Sequence, residues 1–248
     1  MIRVEFRHSY PFTMKQFRKL FLKILLYFPK LAYDLVWKVS FLLFSTSTKT
    51  LDEKTVDPDP VNQFSLWYDE AHLTHPALPN ATVLATVDGD GKPSARFVLL
   101  KDFDQRGFVF YTNYESRKSR ELNTNDSAAL TLYWQEVARQ VRIEGTVEKI
   151  SAEESDRYFA TRPRDSQIGA WASNQSDVIE NRGELDRKFE EFQERFSGKP
   201  IPRPPHWGGF RLKPVRIEFW QGRIARLHDR VVYERDPAGT WHAKRLAP

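Results

Sequence analysis

The chain has 248 residues, with 38 Lys and Arg against 33 Asp and Glu for a formal charge of +5. At 40% hydrophobic and 14% aromatic it has globular composition, which excludes a disordered or collagen-like chain. It has no cysteine, so disulfide scaffolds, cysteine nucleophiles, thiolate zinc sites and iron–sulfur clusters are excluded together.

The positive charge is concentrated at the start. Residues 1–50 hold nine Lys or Arg and two acids, a net of +7, so the remaining 198 carry −2. A slightly acidic body binds phosphate backbones poorly, and no nucleic-acid partner is expected. Phe17, Leu20, Phe21, Ile24, Leu25 and Phe28 recur at helical spacing with Lys15, Arg18, Lys19 and Lys23 between them, predicting a basic amphipathic helix that stops at Pro29. A second apolar stretch, 31–44, is broken by Asp34 and Lys38 before reaching the roughly 20 apolar residues of a membrane span. This atypical extension, assigned to 1–56, has several open readings: a membrane-surface helix, a mitochondrial targeting presequence, a helix packed on the body, or a stretch foreign to the fold. The expected compartment is the cytosol.

From Asp57 the texture changes. Asp57-Pro58-Asp59-Pro60 signals a turn and a helix start before 61–72. Strands are predicted at 81–87 and 94–101 around an Asp88-Gly89-Asp90-Gly91 hairpin turn, which is no dinucleotide fingerprint because Ser94 follows and no helix does. Further strands are predicted at 107–112, 128–134 and 140–150, with helices at 116–123 and 151–161, the latter opened by a Ser151/Glu154 capping box. A charged helix at 184–196 and a Pro-rich link at 199–205 precede three short strands at 210–220, 230–234 and 241–246. The fold class is mainly β with added helices: a β-barrel over 57–248, preceded by the helical extension.

The six histidines have no ligand spacing, so no metal site is expected, and neither Gly-x-Ser-x-Gly nor a P-loop occurs. Anion chemistry remains. Arg117 and Lys118 stand in the first turn of a helix with Ser116 as its natural N-cap, where cations oppose the helix dipole unless an anion sits among them. A solvated basic turn is the alternative. Tyr158 and Arg162, at i and i+4, share a helix face with Ser166 just beyond Pro163; a plain dipole complement at that helix end is the favoured reading on spacing alone. Glu218-Phe219-Trp220-Gln221-Gly222 and Arg226-Leu227-His228-Asp229-Arg230 form a third cluster, dense in ionisable groups, where structural ion pairs compete with catalysis.

Several ordered motifs acquire meaning together: Arg96-Phe97-Val98-Leu99-Leu100-Lys101, Phe110-Tyr111-Thr112-Asn113, Ser116-Arg117-Lys118, Arg139-Gln140-Val141, Tyr158-Phe159, Ser166 to Ala170, Glu218 to Gly222 and the closing Arg245-Leu246-Ala247-Pro248. From about Asp57 to the end the chain resembles the pyridoxamine 5′-phosphate oxidase family. The resemblance implies an FMN-binding split β-barrel, a homodimer with FMN at its interface. It implies that Arg117 and Lys118 hold the FMN phosphate, that Arg96, Phe97, Val98, Leu99, Leu100, Lys101, Tyr111, Thr112 and Gln140 line the flavin, and that Gln175, Ser176, Trp220 and Arg230 complete the site, partly from the second subunit. Lys101, Tyr158, Arg162 and Ser166 would grip the substrate phosphate, and Arg226, Leu227 and His228 would lie at its ring, Arg226 and His228 as the catalytic pair. The implied reaction oxidises pyridoxine or pyridoxamine 5′-phosphate to pyridoxal 5′-phosphate, with hydride passing from C4′ to flavin N5 and dioxygen leaving as hydrogen peroxide.

The chain departs from the family pattern in one place. Members carry an Arg-x-x-Tyr arm shortly before the Asp-Pro turn, a lid over the substrate. Here 41–44 reads Phe-Leu-Leu-Phe, and an Arg-x-x-Tyr occurs instead at Arg7-His8-Ser9-Tyr10. Residues from about 11 to 47 therefore read as an insertion separating lid candidates Arg7 and Tyr10 from the body. Two other activities stand beside the main reading: a flavin reductase on the same barrel, and a non-catalytic carrier of pyridoxal phosphate or flavin.

Overall fold

The computed structural model describes residues 50–74 and 78–248; the amphipathic helix expected over 17–28, the apolar stretch 31–44, the insertion 11–47 and Arg7 and Tyr10 lie outside the described residues. Helix α1 (Pro60–Thr74) starts where the Asp-Pro repeat places it, with the Asp59 carboxylate accepting from the Val61 N–H at 2.8 Å. It buries Val61, Phe64, Trp67 and Ala71 at helical spacing, and Phe64 meets Phe103 and Phe108 edge-on at 4.8 and 5.0 Å between ring centres.

Strand β1 (Ala81–Val87) alternates buried and half-buried residues, the period expected of a strand with one face in a core. The turn to β2 (Pro93–Asp104) is tied by the Asp88 carboxylate, which accepts from the N–H groups of Asp90 and Lys92, and Gly91 takes φ +81° there. After β3 (Gly107–Asn113), α2 (Arg117–Thr124), β4 (Ser127–Trp134) and β5 (Arg139–Lys149) come three helices. They are α3 (Ala152–Thr161), α4 (Arg164–Ala172) and α5 (Arg182–Arg195). The chain ends in β6 (Trp207–Gln221), β7 (Asp229–Arg235) and β8 (Trp241–Leu246).

Strand order is β3-β2-β1-β4-β5-β6-β7-β8, and a further β3–β6 pairing closes the first six into a barrel. The closing strand is the key element. One edge of β6 pairs with β5 from Phe210 to Gln221, while the other is shared, 207–212 by β3 and 216–221 by β7. Opposite that changeover β5 shifts register at Glu144/Gly145, and a Cβ on Gly145 would fall 2.0 Å from the Lys213 carbonyl oxygen. The backbones approach more closely there than any side chain allows. Phe64, Phe108, Phe110, Leu130, Ile143, Leu212 and Phe219 are among the residues that fill the barrel, and a smaller cluster of Phe159, Ile168, Phe196, Ile201 and Trp207 joins the helices to its outside.

Four expectations change. The strand expected to be short at 210–220 is 15 residues long, because it serves three partners. Helix α4 was not expected; Pro163, which stops α3, also stands as the N-cap of α4. Only half of the capping box forms: Ser151 Oγ accepts from the Glu154 N–H, but the Glu154 carboxylate turns to Arg211 and Arg106 instead. Finally, the body begins before residue 57. Leu51 is buried in the main core, Val56 packs against it, and Arg245 holds both the Glu53 carboxylate and the Leu51 carbonyl.

Candidate functional site

The predicted site residues fall into three groups. The first surrounds the start of α2. Lys118 Nζ donates to Thr112 Oγ1 at 3.0 Å, Ser116 Oγ at 3.2 Å and Gln175 Oε1 at 2.6 Å, all neutral acceptors. Burial and the nearby Arg96 guanidinium bring the Lys118 amine down to about 8. Ser116 occupies the N-cap position, yet its hydroxyl faces Ser119 and Lys118; the Arg117 N–H is met instead by Ser176 Oγ at 3.2 Å. Ser176 holds φ +78°, a conformation uncommon for a side chain larger than glycine's. Arg96 and Arg117 both reach Glu121, at 3.0 and 2.8 Å. Burial would raise the Glu121 carboxyl, but hydrogen bonds from Thr86, Ser94, Arg117 and Arg96 outweigh it and hold the group down at about 2.

The second group is aromatic. Tyr111 stacks on Tyr158 at 3.9 Å and on Trp207 at 5.4 Å, within 16° of parallel in both cases. The Arg162 guanidinium lies over the Trp207 ring at 4.6 Å. Arg162 follows α3 as its C-cap in extended conformation, and it and Tyr158 both meet the Trp207 ring, as their i, i+4 spacing suggests. Its Nη1 is buried and has no hydrogen-bond partner, and burial lowers its pKa. A buried guanidinium nitrogen without an acceptor is costly, and an anion would relieve it. Ser166 stands half-buried in the first turn of α4. Tyr111, expected beside the flavin, has its ring in this second group, and burial followed by Glu154 and Asp102 pushes its phenol up to about 12.

The third group lies at the far end of β6. The Trp220 and His228 rings are 4.6 Å apart. His228 Nδ1 accepts from the Arg223 N–H at 3.0 Å, which assigns the neutral ring's proton to Nε2, and burial with the Arg226 charge lowers its pKa. Ala225 and Arg226 both take positive φ, at 59° and 62°, and Arg226 and Leu227 project outward. Arg230 is not free for a ligand throughout its fork, because it donates to the buried Glu218 carboxylate at 2.8 Å and to the Ala247 carbonyl. Gln140 pairs with Trp220 across β5 and β6.

On β2, alternation divides the predicted lining residues. Phe97 and Leu99 face outward, 76% and 37% exposed, as does Tyr133 of β4. Lys101 has no opposite residue on β3, since the register shifts between Leu100 and Asp102, and the bulge leaves it exposed. The Leu100 side chain is in the barrel core, and its N–H and C=O are both engaged by Asn80. Val98 likewise packs against the core. Two residues not anticipated are Glu121, whose only sequence signal is its i+4 spacing from Arg117, and Trp207, which reads as the end of a Pro-rich link.

Residues 68–196 match the family model described as pyridoxamine 5′-phosphate oxidase, and residues 207–248 match one described as the pyridoxine 5′-phosphate oxidase C-terminal dimerisation region. The chain is 59% identical over 198 residues to the pyridoxine/pyridoxamine 5′-phosphate oxidase of Rubrobacter xylanophilus, covering 80% of this chain and 91% of that one. It is 56% identical over 209 residues to the protein of the same name from Burkholderia multivorans, covering 84% and 97%. Among solved structures, PhzG from Burkholderia lata in complex with tetrahydrophenazine-1-carboxylic acid has a TM-score of 0.77 at 32% identity, covering 82% of this chain and all of that one. A pyridoxamine 5′-phosphate oxidase-related, FMN-binding protein from Nostoc punctiforme shares the fold, with a TM-score of 0.62 at 17% identity and coverage of 78% and 100%.

Proposed function

Because the chain belongs to the pyridoxamine 5′-phosphate oxidase family, an oxidoreductase family, we propose that it converts pyridoxamine and pyridoxine 5′-phosphates to pyridoxal 5′-phosphate with FMN as cofactor. For the alcohol, substrate plus O2 gives the aldehyde and H2O2; for the amine, one water is also consumed and ammonia released. Bound FMN supplies the two-electron chemistry and its return by dioxygen. The chain's own residues supply binding, orientation and charge.

The supporting observation is the presence of two separate cationic sites in one chain, one at Lys118 and one at Arg162. A flavin reductase needs only the first. Lys118, enclosed by neutral acceptors and without a carboxylate of its own, suits the FMN phosphate, with Thr112, Gln175, Arg117 and Ser176 around it. Arg162, its Nη1 unmatched, suits the substrate phosphate, with Tyr158, Ser166 and Lys101 as further donors. Holding the phosphate at a distance from the reacting carbon fixes that carbon in place and lowers the entropic part of the barrel-side reaction's barrier. His228, neutral and donating from Nε2, would orient the substrate ring together with Arg226 and Leu227.

The match to the dimerisation region supports a homodimer. The outward-facing Phe97, Leu99 and Tyr133 suit burial against the second copy. Trp207 and Trp220 stand at opposite ends of β6, thirteen residues apart, which at about 3.3 Å per residue is about 43 Å along the strand. One small substrate cannot touch both ends of one strand, so the Arg226–His228 segment is assigned to the pocket whose phosphate grip comes from the other subunit.

The test is an absorbance spectrum of the purified protein followed by anaerobic addition of pyridoxamine 5′-phosphate. A bound flavin band that bleaches is expected. A band that stays oxidised would move the assignment to another flavin chemistry, and no flavin binding even with added FMN would overturn it.

A further inference from the structure

Three cations converge on the start of α2. Arg117 and Lys118 are neighbours in the chain, and Arg96 lies close enough to Lys118 to depress its amine. Like charges gathered in one partly buried site repel one another, so such a cluster holds its shape only with a counter-charge. The structure contains one. Glu121, 6% exposed, receives Arg117 Nε on Oε1, while its Oε2 receives Thr86 Oγ1 at 2.5 Å, Ser94 Oγ at 2.7 Å and Arg96 Nη2 at 3.0 Å. Arg96 is held further by Nη1 donating to Thr86 Oγ1 and to the Leu84 carbonyl. One carboxylate thereby ties a residue of α2 to the hairpin of β1 and β2.

Resting on the FMN reading above, we propose that Glu121 is the positioning residue of the cofactor-phosphate site: its carboxylate holds Arg96 and Arg117 in place before the phosphate arrives and offsets the repulsion of Lys118 by Arg96. It touches no ligand itself. An amide at this position cannot reproduce the arrangement, because Arg96 and Arg117 are donors only and one of them would face an NH2 group. The oxygen with three donors is the one an amide retains as acceptor, so Arg117 is the residue released.

The charged groups acting on the Lys118 amine are Arg96 from β2 and Glu121 from α2, with neutral Thr112, Ser116 and Gln175 completing its surroundings. Glu121 favours the protonated amine and Arg96 disfavours it. Loss of the carboxylate charge therefore makes Lys118 give up its proton at lower pH, and FMN affinity falls at lower pH with it.

The experiment is FMN titration of the apoprotein, read by quenching of flavin fluorescence, from pH 6.5 to 9.5 for the native chain, Glu121→Gln and Glu121→Asp. In Glu121→Gln the FMN Kd rises by about tenfold at pH 8.5, the loss shrinks toward pH 6.5, and the midpoint of the pH profile moves down. In Glu121→Asp, which keeps the charge, the midpoint returns to the native position. At saturating FMN the KM for pyridoxamine 5′-phosphate is unchanged in both, since Arg162 lies in a separate group. A Glu121→Gln profile with the native midpoint, or a Glu121→Asp profile shifted as far as that of the amide, overturns the inference. Should the native chain itself bind no FMN, the reading of the cofactor fails instead, and the two failures are distinct.

Discussion

The two anion sites hold their cations in opposite ways. At the start of α2 the cations sit in a saturated polar network: Lys118 has three acceptors, and Arg96 and Arg117 share a buried carboxylate. Behind β6 the cation is held by rings. Arg162 lies on Trp207, which is stacked with Tyr111 and Tyr158, and one of its nitrogens has no acceptor. A network with its own acceptors is stable empty and suits a cofactor that stays bound. A cation oriented by aromatic faces keeps its donors unspent, which suits a substrate that must arrive and leave with every turnover.

The largest test of that contrast is Arg162→Leu. Removing the unspent cation should lower kcat/KM for pyridoxamine 5′-phosphate by about 100-fold or more while FMN affinity stays as it was. Arg162→Lys should recover little, because an ammonium cannot lie flat on Trp207 and fork to a phosphate. An equal loss of FMN affinity in Arg162→Leu would show that the two sites are one.

Lys118→Met comes next, with FMN Kd up by about 30-fold and the KM for substrate unchanged, measured by flavin fluorescence and steady-state kinetics. The pH dependence sharpens the same point. With its amine lowered to about 8, Lys118 is charged below that pH and neutral above it, so FMN affinity should decline as pH rises through 8. Stability of the apoprotein should respond in the other direction. Between about 8 and the ordinary 10.5 the unfolded chain binds the proton and the folded chain does not, so this residue's contribution to stability rises with pH across that window. Thermal melts of native and Lys118→Met apoprotein at pH 7.5 and 9.5 read the difference.

Trp207→Phe should act more weakly, raising the substrate KM by about threefold with kcat retained, because a smaller ring still carries the guanidinium. Ser176→Ala should have the smallest effect, a rise of about twofold to fivefold in FMN Kd, the worth of one neutral hydrogen bond to the Arg117 N–H.

Most of the barrel was legible as short strand-like runs between turn signals, such as 81–87 and 94–101 around Asp88-Gly89-Asp90-Gly91. What such runs could not show was the shared edge of β6, which depends on which strands meet it, or α4, whose start looked like a stop at Pro163. In the site, Arg117 and Lys118 stood out because cations in a first helical turn need a reason. Within the Arg96–Lys101 motif the strand sends alternate residues to opposite sides, so Phe97 and Leu99 face outward while the Leu100 side chain is buried, a division the contiguous motif alone did not show. Glu121 was missed because an i, i+4 Arg–Glu pair is ordinarily a surface feature. Only the fold shows that this carboxylate also meets Thr86, Ser94 and Arg96.

The length of β6 carries a genetic consequence. If each pocket draws its phosphate cation from one subunit and its His228 from the other, two inactive alleles can rescue each other. A heterodimer of an Arg162 variant with a His228 variant places both lesions in one pocket and leaves the second intact. Random reassortment of an equal mixture makes half the dimers mixed, so about a quarter of the native rate returns from two dead parents. Two variants of the same group, such as Arg162 and Tyr158, would return nothing.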